Sequence, residues 1–178
     1  MMMQMLVAGG VSPLCDETRP ADESNPCGYF ELEHVKRLRS DNSWLDAAEG
    51  HCLKVIHALL DCLPAAHDYR VIFMRRAMDE VMRSQSAMIQ LLGIESSSAS
   101  TAQLARAFEQ QQDAQLAWLQ DQPNFRLHVV HYAGVIAEPH VQAEHVAQFL
   151  APEYTLNVAA MAKAVDLRLY RQRIPASD

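Results

Sequence analysis

Two dense apolar runs, Tyr69 to Met74 (YRVIFM) and Phe125 to Tyr132 (FRLHVVHY), are separated by a long stretch of helix-period sequence. Both runs are rich in β-branched and aromatic residues and read as strands. Strands joined through helices do not close as hairpins. They run parallel, with helices laid on both faces of the sheet. Ligands of such sheets bind outside the carboxyl ends of the strands. The expected architecture is α/β, and 178 residues suit one domain spanning 1–178.

The rest of the chain fits this pattern. Residues 1–8 (MMMQMLVA) read as a helix, stopped at Gly9-Gly10. Its methionines lie on all sides, which suggests a buried element. Val11 to Leu14 and Cys52 to Ile56 (CLKVI) read as short strands, with a loop over 15–28. Helices are expected over 30–39, with Phe30, Leu32, Val35 and Leu38 inward, and over Ser43 to Glu49. Further helices follow at 78–92, ended by Gly93, and from a capping box of Ser100 with Gln103 to about Leu119. The stripe of that last helix is Leu104, Ala107, Phe108, Ala114 and Trp118. Two short helices complete the chain at 139–150 and 156–165.

Net charge is -7 and the isoelectric point is about 5.6, so no basic stripe suits a nucleic acid. A few focused cations can still hold a small anion. No apolar run reaches the roughly 18 residues of a membrane span. MMMQMLVAGGV lacks the basic flank of a signal peptide, so the expected setting is cytoplasmic. There the four cysteines, Cys15, Cys27, Cys52 and Cys62, are expected as free thiols. His51, Cys52, His57, Cys62 and His67 lie close in sequence without zinc-ligand spacing, so no metal is expected.

The stretch RVIFMRRAMDEVMRSQ carries the most chemistry. A strand runs out into Arg75 and Arg76, and a helix begins within a few residues. Arg76 therefore stands at a strand's carboxyl end, beside helix-terminal N–H groups. Ser84 lies farther along that helix, and helical side chains lean toward the N-terminus. Guanidinium and hydroxyl together make an anion clamp. The plainer alternative pairs the arginines with carboxylates such as Asp79 or Glu80 and leaves Ser84 idle.

The spacing from Arg76 to Ser84 resembles the 3′-phosphate signature of sulfotransferases. NPCGYFE (Asn25 to Glu31) is similar to the NPxGYFE segment of bacterial sulfotransferase-like proteins. FMRRAMDEVMRSQ resembles their FMRRDLDEVLASQ, and LYRQR (Leu169 to Arg173) resembles their C-terminal end. The resemblance implies a P-loop-type three-layer fold, with a mostly parallel sheet flanked by helices. It implies transfer of a sulfuryl group from 3′-phosphoadenosine 5′-phosphosulfate (PAPS) to a hydroxyl or amine of a small-molecule acceptor. Arg76 and Ser84 would bind the 3′-phosphate, helped by Arg171 and Arg173. Those last two arginines could equally be a solvated tail.

The chain departs from the family in two places. The turn reads Arg76-Ala77-Met78, where the family usually has Asp after the Arg; losing such a cap costs about 1 kcal/mol. The family also has a strand and a GxPRSGTS-like loop before its MMMQML-like helix. No such segment occurs in these residues. The chain is thus expected to be a sulfotransferase-like domain truncated at the N-terminus, missing its first, central strand and inactive or nearly so. Exposed sheet edges would then invite self-association.

The resemblance also bears on the base. His57 follows CLKVI, and cytosolic sulfotransferases carry a Lys-Thr-His segment at a comparable strand end, out of register by one residue. His57 would take the acceptor proton while Lys54 stabilises the bridging oxygen. Glu31 competes for the role of base, since other branches use a Glu. Each has a structural alternative: a packed His57, an ion-paired Lys54 and a solvated Glu31. A non-catalytic remnant or protein-binding module on the same fold is the second reading. A P-loop kinase relative is a weaker third, because no acidic strand end suits magnesium.

Overall fold

The computed structural model describes residues 1–16, 18–22, 25, 28–82 and 101–169, the side chains of 101, 102 and 169 excepted. The two strongest strand signals are both strands, β1 (Tyr69–Arg75) and β2 (Phe125–His131). They pair in parallel, with Tyr69 opposite Phe125 and Arg75 opposite His131. A helix α2 opens at residue 78 and is described to residue 82. A long helix α3 (Thr101–Asp121) returns the chain to β2. Ser100, Gly93 and most of the predicted 78–92 helix lie outside the described residues.

Side chains alternate along each strand, so each feeds two layers. Tyr69, Val71 and Phe73 of β1 join Phe125, Leu127 and Val129 of β2 against Leu116 and Leu119 of α3. Ile72, Met74 and Val130 face the other way. They meet α1 (Met2–Gly9), α4 (Tyr132–Ala137), α5 (Pro139–Leu150) and α6 (Val158–Lys163). The sheet is therefore covered on both faces, as the doubly apolar strands require.

Local sequence explains these helices. Gly10 ends α1 with a left-handed backbone (φ 107°), and the Val11 N–H donates to the Leu6 carbonyl. Pro139 opens α5, where its missing N–H costs nothing. Ala143, Val146 and Leu150 then form its buried stripe. Asn157 caps α6 by accepting from the Ala160 N–H at 3.0 Å.

Four expectations need correction. Cys52 to Ile56 is not a strand; it makes a single parallel bridge, Pro13 with Cys52, to the other predicted short strand. Among the described residues, the sheet therefore has two strands. The helices expected over 30–39 and 43–49 are 3-10 turns, Glu33–Arg37 and Ser43–Ala48, under which Val35, Leu38, Leu45 and Leu59 make a separate small core. Segments of five and six residues lack the length to sustain α geometry. Phe30 lies ahead of its turn with φ 51° and is only half-buried. The fourth correction is α4: the sequence reading carried the strand to Tyr132 and assigned no helix over 133–137.

Candidate functional site

Because β1 and β2 are parallel, their carboxyl ends lie side by side. Arg75 and Arg76 leave β1 there, and Tyr132 follows β2 at the same end. Arg75 pairs with Asp113 of α3 at 3.0 Å. Arg76 donates through Nε to Glu80 Oε2 at 2.8 Å, and its guanidinium lies 4.7 Å from the Tyr132 ring centroid. Glu80 sits in the first turn of α2, its N–H donating to the Ala77 carbonyl. It is 5% exposed, the buried charged residue among those described, whereas a quarter of the Arg76 side chain meets solvent. Burial pushes the Tyr132 hydroxyl pKa up; Arg76 draws it back down.

Of the two carboxylates named as plain partners, Glu80 is the one Arg76 meets. The i,i+4 spacing on α2 accounts for that choice. Tyr132 was missed; its place directly after the second strand was the available signal. Ser84, Arg171 and Arg173 lie outside the described residues.

A second cluster forms where the 15–31 segment meets the stretch after Cys52. Lys54 donates to Glu31 Oε1 and to the Tyr29 carbonyl, both at 3.1 Å. Arg19 approaches Glu31 at 3.6 Å and lies over the Tyr29 ring, 3.4 Å from its centroid. The backbone is bent to allow this. Gly28 (φ 79°) and Phe30 (φ 51°) bracket Tyr29 in left-handed conformations. The first suits glycine and the second is uncommon for a bulky residue. Asn25 Nδ2 donates to the Gly28 carbonyl at 2.6 Å, and the Tyr29 hydroxyl donates to Asp22 at 2.8 Å. Asp16 accepts from the Thr18 and Glu33 N–H groups, and hydrogen bonding from the Thr18 side chain, then from those N–H groups, holds its carboxyl below its usual range. Beside the cluster lies an open cavity of about 330 Å³, walled by Pro20, Ala21, Tyr29 and Phe30, with Cys15, Asp16 and Arg19 among its lining. Arg19 carried no signal in the sequence reading, because a single arginine in a polar loop looks solvated.

His57 stands elsewhere. It opens a 3-10 turn, His57–Cys62, and its ring meets Phe108 edge-on at 5.0 Å and Phe73 at 6.5 Å. Its Nε2 is buried without a hydrogen-bond partner among the described residues. Two of the three candidate catalytic residues are thus together, and the third is packed against α3. Among the described residues no group of His, Cys, Asp and Glu is arranged to hold a metal. Likewise, no described helix is long and apolar enough to cross a membrane.

Parallel strands that deliver an arginine to their carboxyl end, between two helical layers, define an α/β protein with a candidate site at the sheet mouth. A family model described as Sulfotransferase family matches residues 17–155, more than half of the chain, so the chain belongs to that family. The matched span contains Glu31, Lys54, His57, Arg76 and Ser84. Comparison with curated proteins and with solved structures returned no match.

Proposed function

We propose that the chain is built for sulfuryl transfer from PAPS to a hydroxyl or amine, with Arg76 and Ser84 taking the donor's 3′-phosphate. The observation that carries this reading is Arg76 at the carboxyl end of β1, anchored by Glu80 and lying against Tyr132, in a chain of the Sulfotransferase family. Bidentate pairing with phosphate suits guanidinium geometry. Arg171 and Arg173 would add positive charge to the same anion.

On the acceptor side we favour Glu31 as base and Lys54 as the cation. The acceptor oxygen or nitrogen attacks sulfur, its proton passes to the Glu31 carboxylate, and the bond from sulfur to the bridging phosphate oxygen breaks. The departing 3′-phosphoadenosine 5′-phosphate carries that electron pair, and Lys54 offsets its charge. The cavity beside Tyr29 and Phe30 would hold the acceptor's apolar body. His57, its Nε2 buried among aromatic rings, is read as a packing residue.

These 178 residues contain no PRSGT-like phosphosulfate loop. Such a loop would hold the donor's 5′ end. The second reading is a binding module on the same fold whose sheet edges meet a protein partner. The test is sulfuryl transfer to a panel of phenols, alcohols and amines, with the chain alone and joined to a strand and phosphosulfate loop. Restored turnover that falls at least tenfold in Glu31→Gln and in Lys54→Ala supports the catalytic reading. Persistent inactivity in the joined protein, with no binding of 3′-phosphoadenosine 5′-phosphate, supports the binding module.

A further inference from the structure

A buried carboxylate beside a ligand-binding arginine works against anion binding, because it cancels part of the charge the ligand would feel. Nor is a buried ion pair a strong source of stability, since desolvation consumes most of the attraction. Glu80 is nevertheless almost fully buried and accepts from Arg76 Nε at 2.8 Å. Nε is the nitrogen whose engagement fixes the guanidinium plane, while a phosphate is gripped by the Nη edge. On its other side the guanidinium is backed by the Tyr132 ring, from the neighbouring strand's carboxyl end. A carboxylate from α2 and an aromatic face from α4 thus both contact Arg76, the residue after β1.

We propose that Glu80 is the positioning residue of the donor site: it locks the plane of Arg76 against Tyr132 so that the Nη edge meets the 3′-phosphate. This rests on the donor-site reading above. Placement, rather than charge, is the claim, and the two make opposite predictions. Glu80→Gln keeps an oxygen where the carboxylate oxygen was but removes the negative charge. Glu80→Asp keeps the charge but withdraws the oxygen by about one carbon–carbon bond, ~1.5 Å, taking it outside hydrogen-bond reach of Nε.

The experiment is calorimetric titration of the chain with 3′-phosphoadenosine 5′-phosphate, for wild type, Glu80→Gln, Glu80→Asp and Arg76→Ala. Placement predicts that Glu80→Gln binds as tightly as wild type or a few-fold tighter, and that Glu80→Asp binds about tenfold more weakly. A Glu80→Asp affinity equal to wild type overturns the proposal, and so does a tenfold loss in Glu80→Gln. Glu80→Gln is nearly isosteric, so a tenfold loss there overturns the proposal even where Glu80→Asp fails to fold. Arg76→Ala reports on the underlying reading. An unchanged affinity there, or no binding by wild type, brings down the donor site itself. Loss with Arg76→Ala and none with Glu80→Asp brings down the role of Glu80 alone.

Discussion

Arg76 pairs with a buried carboxylate and, in the proposed donor site, would also address a ligand; the sequence shows only that Asp79 and Glu80 are within its reach. The i,i+4 relation to Glu80 was legible, since it follows from α2 beginning at residue 78. The stacking on Tyr132 was not, because it depends on which strand lies beside β1. Glu31 and Lys54 were each legible as candidates, but their 3.1 Å contact joins residues far apart in sequence and needs the Pro13–Cys52 bridge. His128 makes a second residue-scale point. It stacks on Phe149 with its Nε2 buried, and burial, with a smaller push from His145, lowers its pKa below 6.5. The folded chain then binds fewer protons than the unfolded chain, so stability is present above about pH 6.5 and is lost as pH falls through and below it. His128→Phe keeps the stacking and removes the titration. Melting temperatures measured across that window should fall less steeply for the variant; an identical acid slope would show that other groups carry the effect.

At the scale of elements, the sequence named α3 correctly and placed Phe108 and Trp118 of its inward stripe, but Leu104, Ala107 and Ala114 of that stripe are exposed. Leu104 is 48% exposed, while Leu119 is fully buried and Phe108, Gln112, Gln115 and Leu116 are half-buried. The glutamine-rich middle of the helix removes the apolar markers that would have fixed the phase, and two of the glutamines themselves lie on the inner face. This gives a clean contrast. Leu119→Ala should cost about 2–5 kcal/mol in denaturant unfolding, and Leu104→Ala should stay within about 0.5 kcal/mol of wild type. A larger loss in Leu104→Ala than in Leu119→Ala would mean that the helix sits in the phase read from sequence. Tertiary context also decided the 52–56 segment. Its apolar residues look like a strand, yet Leu53 and Val55 are spent packing on the 3-10 turns and the α3-side core.

The whole molecule is a sheet carrying two helical layers, with a third small core beneath the 3-10 turns. The layering was readable because β1 is apolar on both faces, Val71 and Phe73 on one and Ile72 and Met74 on the other, with Val130 of β2 joining the second, a pattern that demands cover on both sides. What the sequence could not supply was the placing of the 15–31 segment, whose bends at Gly28 and Phe30 set the second cluster. The central claim is that the sheet mouth reads a 3′-phosphate through Arg76. The direct test compares the binding of 3′-phosphoadenosine 5′-phosphate with that of adenosine 5′-phosphate, which lacks only that group, in wild type and Arg76→Ala. The account predicts a preference of roughly 10–100-fold in wild type, the worth of charge-assisted bonds to one anion, and its disappearance in the variant. A preference that survives Arg76→Ala intact, or none in wild type, would contradict it.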